Sequence, residues 1–122
     1  VSPDGHPTRF VRDALARRGV LTAEQLRTAE PGSKVLVAGV VTHRQRPMTA
    51  QGTTFMNLED ETGLMNVVVS QGCWKRHRAV ARDAGALFVS GRLERSEGVV
   101  NVVAERIEAL SLAAATASRN FR

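Results

Sequence analysis

The stretch KVLVAGVVTHRQRPMTAQGTTFMNLEDETGLMNVVV, Lys34 to Val69, reads as three consecutive strands separated by turn residues. It is rich in Val, free of Pro until Pro47, and its apolar residues recur with the two-residue period of a strand. The first strand spans about Val35 to Gln45, and Gly39 in its middle marks a sharp bend or a bulge. Pro47 to Gly52 is a loop, Thr53 to Glu59 a second strand, Asp60 to Gly63 a tight acidic turn, and Leu64 to Val69 a third strand.

The flanking sequence changes period. Upstream, Phe10, Val11, Ala14 and Leu15 have helical spacing within Thr8 to Arg18, opened by a Pro-Thr signal and closed by Gly19. Thr22 and Gln25 have the spacing of a capping box for a second helix reaching about Ala29, and Pro31-Gly32 breaks it. Downstream, Gln71 to Asp83 reads as a helix that offers Trp74, Val80 and Ala81 to the core. Leu87 to Glu94 and Val99 to Leu110 are two further strands joined by the turn Arg95 to Gly98. Ala113 to Ala117 is an Ala-rich tail that ends in SRNFR. Three strands, a helix and two strands, with a bent first strand, is the order of an OB-fold. The expected class is mainly β: a five-stranded OB-fold barrel with a helix between strands three and four, preceded by two short helices. Residues 1–32 form a helical linker segment, 33–110 the barrel domain and 111–122 a C-terminal tail.

Composition narrows the function classes. With 122 residues the chain holds one domain with a core. Its net charge of +5 would attract a polyanion without proving one. Fifteen of the seventeen bases are Arg, which suits forked phosphate contacts and stacking, although Arg with Ala and Val also marks a GC-rich genome. The lone Cys73, the lack of a signal-peptide pattern and the lack of a membrane-length apolar run point to a cytoplasmic location with no membrane partner. The first residue is Val and the opening VSPDGHP is loop-like, so the expectation is a fragment of a larger protein.

Strand alternation locates a candidate face. If Met56 and Leu58 point inward, Phe55, Asn57 and Glu59 point outward, and in the third strand Leu64, Asn66 and Val68 do the same. An exposed Phe55 between Asn57 and Asn66 would stack a base while the amides touch base edges. The other reading has Phe55 covered by the N-terminal helices or by a neighbouring domain. Arg44 and Arg46 enter the first loop, while Arg92 and Arg95 approach the turn between strands four and five. Together they would form a basic funnel around Phe55, unless Arg92 pairs with Glu94 or Glu105. Lys75, Arg76 and Arg78, with His77 and Arg82, make a secondary basic patch, although a charge run on a helix is usually a solvated face. Glu59, Asp60 and Glu61 read as a capped turn rather than a metal site. His6, His43 and His77 are scattered, with no zinc spacing. No nucleophile elbow or phosphate-cradling loop is present, so no residue is assigned a catalytic or metal-binding role.

The run VAGVVTHRQRPMTAQGTTFMNLEDETGLMNVVV, followed by VSGRLERSEGVVNVVAERIEAL and SRNFR, resembles the C-terminal OB-domain region of error-prone C-family DNA polymerases, the alternative DnaE-type alpha subunits also called ImuC. The preceding HPTRFVRDALARRGVLTAEQLR is similar to the segment linking their helix-hairpin-helix region to that domain. The FMNLEDETG stretch also looks like the anticodon-binding OB domains of class II aminoacyl-tRNA synthetases, where the Phe at the Phe55 position stacks on a base. The resemblance implies a parent DNA-directed DNA polymerase, a nucleotidyltransferase that extends DNA past damage during damage-induced mutagenesis. It implies an ImuB-type accessory protein and, through it, the sliding clamp as partners. The parent would use Mg at carboxylates far upstream, leaving this fragment non-catalytic and without a cofactor. Family OB domains are thought to hold single-stranded template, a role that maps onto Phe55, Arg44, Arg46 and Asn57. This chain has RPMTAQG where the family pattern is RPGTAKG, which removes a Lys and a Gly from the loop. Three functions follow as expectations: a module binding single-stranded template DNA, a protein-interaction module in which this face or the tail docks ImuB, and, more weakly, an RNA-binding anticodon-type domain.

Overall fold

One long strand organises the molecule. In a computed structural model, residues 5–111 are described; the opening residues 1–4 and the Ala-rich tail with SRNFR lie outside them. Along the chain run a 3₁₀ turn (Pro7–Val11), α1 (Arg12–Arg17), β1 (Val20–Leu21), α2 (Ala23–Leu26), β2 (Lys34–Gln45), a second 3₁₀ turn (Met48–Ala50), β3 (Thr54–Asp60), β4 (Gly63–Val69), α3 (Gln71–Arg76), α4 (Arg78–Asp83), β5 (Ala86–Ser96) and β6 (Val99–Ala109).

The twelve residues of β2 serve two neighbours. Lys34 to Val40 pair antiparallel with β5, and Val40 to Gln45 pair antiparallel with β3. From β3 the sheet continues antiparallel to β4, parallel from β4 to β6 and antiparallel back to β5. The circuit closes, so β2 to β6 form the expected five-stranded OB barrel. The two-residue β1 adds a parallel edge to β2, with Val20 opposite Leu36.

Gly39 sits where β2 turns from β5 toward β3. A Cβ there would stand 2.7 Å from the Glu59 carbonyl oxygen, so the bend depends on the missing side chain. The bulge lies further along, between Val41 and His43. Inside the barrel Val37, Met56, Leu58, Val67, Val69, Leu87, Val89, Leu93 and Val102 are fully buried. Each such side chain stabilises the fold by roughly 1.5–3 kcal/mol.

The helical expectations need shortening. Residues 7–11 form a 3₁₀ turn capped by His6, and only Arg12–Arg17 are α-helical. The Thr22/Gln25 capping box is present. After Leu26, however, the amides of Arg27, Thr28 and Ala29 bond three residues back, which ends α2 early. The helix expected over Gln71 to Asp83 is two six-residue helices broken at His77, whose φ of −119° and ψ of 23° leave the helical region. Val11, Leu15 and Val20 pack on Ala38 and Phe88, a second core that fixes the N-terminal segment to the outside of β2 and β5.

Candidate functional site

β3 alternates as its sequence requires: Met56 and Leu58 are buried, while Phe55 is 43% exposed. The register extends that face sideways. Gln45 of β2 lies opposite Phe55, Phe55 opposite Val68 of β4, and Val68 beside Val103 of β6. The next row is His43, Asn57, Asn66 and Asn101. Asn57 Nδ2 donates to Asn66 Oδ1 at 2.8 Å, which ties the two amides edge to edge. One exposed aromatic therefore stands beside a polar row that crosses four strands. The N-terminal helices cover Phe88 instead of Phe55.

His43, Gln45 and Asn101 were not singled out from sequence. Strict alternation from Val35 and Val37 would turn His43 inward, and the bulge after Val41 reverses it. Asn101 joins through the parallel β4–β6 pairing, which leaves no local mark in the sequence.

The four arginines are not gathered into one funnel. Arg44 Nε donates to the Ala81 carbonyl at 2.7 Å, and its Nη2 reaches the Ala84 carbonyl, so it caps the end of α4. Arg92 Nη1 donates to the Gly32 carbonyl at 2.9 Å and its Nε lies 3.5 Å from Glu105, one of the two acids expected to compete for it. Arg95 Nη2 donates to the carbonyls of Arg27 at 2.7 Å and Ala29 at 3.2 Å, closing the end of α2. Arg46 is different. Its Nε donates to Thr54 Oγ1 at 3.1 Å and its guanidinium lies 4.7 Å from the centre of the Trp74 ring. In the helical patch, Arg82 pairs with Asp83 and His77 with the Cys73 carbonyl, Arg76 packs beside Gly72, and Lys75 and Arg78 edge a hollow next to Trp74.

The acidic turn is a structural knot. Asp60, 2% exposed, accepts from the amides of Thr62, Gly63 and Ala23, from the Thr62 hydroxyl and from Arg12. Glu61 takes a forked pair of bonds from Arg12 at 2.6 and 2.8 Å and one from Thr8 Oγ1 at 2.7 Å. Burial alone would raise the Glu61 carboxyl, but the Arg12 fork, the Thr8 hydroxyl and the backbone together pull it down to about 2. Glu59 faces His6 Nε2 at 3.2 Å. These acids answer donors from the N-terminal segment, so they do not fit the ligand set of a hard cation such as Mg. Among the described residues no group of three or more His, Cys, Asp or Glu could hold a metal ion, and no helix is long and apolar enough to cross a membrane.

Residues 35–110 match the family described as OB-fold nucleic acid binding domain. The whole chain is 53% identical to the error-prone DNA polymerase of Mycobacterium tuberculosis and 56% identical to that of Cutibacterium acnes, spanning 11% of each relative's length. Among solved structures it is similar to asparaginyl-tRNA synthetase from Pyrococcus horikoshii complexed with asparaginyl-adenylate. That match has a TM-score of 0.62 and 21% identity, covers 75% of this chain and 22% of the other, and speaks to fold alone.

Proposed function

The chain belongs to the family of OB-fold nucleic-acid-binding domains, and from that premise we propose that it binds single-stranded template DNA as a non-catalytic module of a longer error-prone polymerase. The observation that carries this reading is Phe55, exposed on the sheet beside the Asn57–Asn66 amide pair. A flat ring stacks any base, and neighbouring amides can meet base edges without demanding one sequence. Identity of 53% and 56% over the whole of this chain, 11% of each relative's length, to error-prone DNA polymerases supports the parentage, and for that parent we propose extension past damaged template. The parent's Mg-dependent chemistry would reside outside this chain.

The test is fluorescence anisotropy of a labelled single-stranded oligonucleotide across a salt series. Phe55→Ala should lose about 1–3 kcal/mol of affinity with the fold intact. Contact with roughly three phosphates predicts a slope near −2 in log K against log salt. Equal affinity in mutant and wild type would remove the stacking model.

One observation favours a second reading. Leu64 and Val99, 58% and 48% exposed, stand two residues before Asn66 and Asn101 and add an apolar margin to the same face. That margin suits a protein partner of the ImuB type, whose binding would change little with salt.

A further inference from the structure

Beyond Phe55 the surface does not end at the edge of the sheet. Gln45, the cross-strand partner of Phe55, lines a hollow of about 170 Å³ with Arg44, Arg46, Thr54 and Trp74. Arg46 and Trp74 are shared with a second hollow of about 230 Å³, completed by Gly52, Gln71, Lys75 and Arg78. The two adjoin through Arg46 and Trp74, with Gln45 beside Phe55 at the near rim and residues of α3 and α4 at the far side.

Three cations and no carboxylate line the second hollow. Several other bases differ chemically: Arg12, Arg82 and Arg92 face acids, and Arg44 and Arg95 bond helix-end carbonyls. Arg46 is held at two points instead. Its guanidinium carbon lies 4.7 Å from the centre of the Trp74 ring, and its Nε donates to Thr54 Oγ1 at 3.1 Å. A planar guanidinium fixed in this way loses little freedom when it forks onto a phosphate. The wall opposite is fixed as well. Gly52 has a φ of +85°, which strains any other residue, and a Cβ there would press on the Gln71 side chain at 3.0 Å, so Gly at this position favours close approach of the β2–β3 loop to α3.

We propose that this groove is a second contact for the nucleic acid, in which Arg46, Lys75 and Arg78 hold a backbone phosphate of the strand beyond the base stacked on Phe55. The proposal rests on the single-strand reading above and adds a site remote from the sheet face. It also gives the strand a direction of travel, from Phe55 past Gln45 to α3.

Trp74, the only Trp in the chain, reports on the groove. The 122-residue chain is titrated with an oligonucleotide of about a dozen deoxythymidines, within the usual span of one OB barrel. Anisotropy and Trp74 emission are read together for wild type, Phe55→Ala and the double variant Lys75→Ala/Arg78→Ala, whose side chains are exposed. The expected result is an emission change in wild type at the anisotropy midpoint. The double variant should bind roughly tenfold more weakly, with a salt slope shallower by about 0.7 per phosphate lost. Phe55→Ala should bind more weakly and keep the wild-type slope. An unchanged double variant alongside a weakened Phe55→Ala would overturn the groove and leave the sheet face standing. The reverse pattern would support the groove and overturn stacking at Phe55. No binding by wild type would overturn both. Trp74 emission that saturates with inorganic phosphate below the oligonucleotide midpoint would assign the hollow to a free anion and overturn a strand contact.

Discussion

Asp60 shows how one side chain can be read correctly and still be underestimated. An Asp that starts a tight turn bonds the amides two and three residues on, and it does so to Thr62 and Gly63. Its second oxygen reaches Ala23 N at 2.8 Å and Arg12 at 3.4 Å, partners 37 and 48 residues away that no local pattern announces. Asp60→Asn should therefore destabilise the fold by about 1–3 kcal/mol, because an amide nitrogen buried in place of one carboxylate oxygen would face donors. Urea unfolding midpoints measure this, and a loss below ~1 kcal/mol would mean the turn alone matters. The arginines teach the same lesson. The sequence marked Arg44, Arg46, Arg92 and Arg95 as bases near the barrel's loops, but Arg44 lies within β2 and Arg92 within β5. That three of them bond backbone carbonyls left no mark in the sequence, because a carbonyl is the same acceptor whatever its residue.

Among elements, strands were legible almost to the residue, because burial on one face imposes a period of two and a slip would expose a whole set of Val and Met. The first strand, expected over Val35 to Gln45, is Lys34–Gln45, and the second, expected over Thr53 to Glu59, is Thr54–Asp60. Helices were less so. Short helices draw their stability from tertiary contact, and where a chain docks through Thr8, Arg12 and Ala23 the contacts decide its length. Gly39 was marked for a bend or a bulge, and the structure separates the two, placing the bulge at Val41/His43. Gly39→Ala should push β2 off the Glu59 backbone and lower stability by roughly 1–3 kcal/mol. Amide exchange would show the loss first in the β2–β3 pairs Val40–Glu59 and Val41–Leu58. Unchanged protection there would mean that the backbone absorbs the methyl elsewhere.

Across the whole molecule the N-terminal segment is a strap, with an apolar seam on Phe88 and Ala38 and a polar clasp at the β3–β4 turn. By covering the β2–β5 side it leaves Phe55 open, so the clasp helps decide which face of the barrel meets a ligand. The clasp carries a defined pH dependence. Glu61 is held at about 2 in the folded chain against an ordinary value of 4.5. A depressed carboxyl contributes its full stabilisation above the unfolded value and loses it as pH falls through the folded one, so the contribution should fade between about pH 5 and about pH 2. Glu61→Gln keeps the shape, cannot ionise and leaves Arg12 without its forked partner. Its thermal midpoint should lie below wild type at neutral pH and converge on it across that window. Parallel curves for the two proteins, with a constant gap down to acid pH, would place the acid sensitivity on other carboxylates and show that Glu61 stabilises the strap independently of its ionisation.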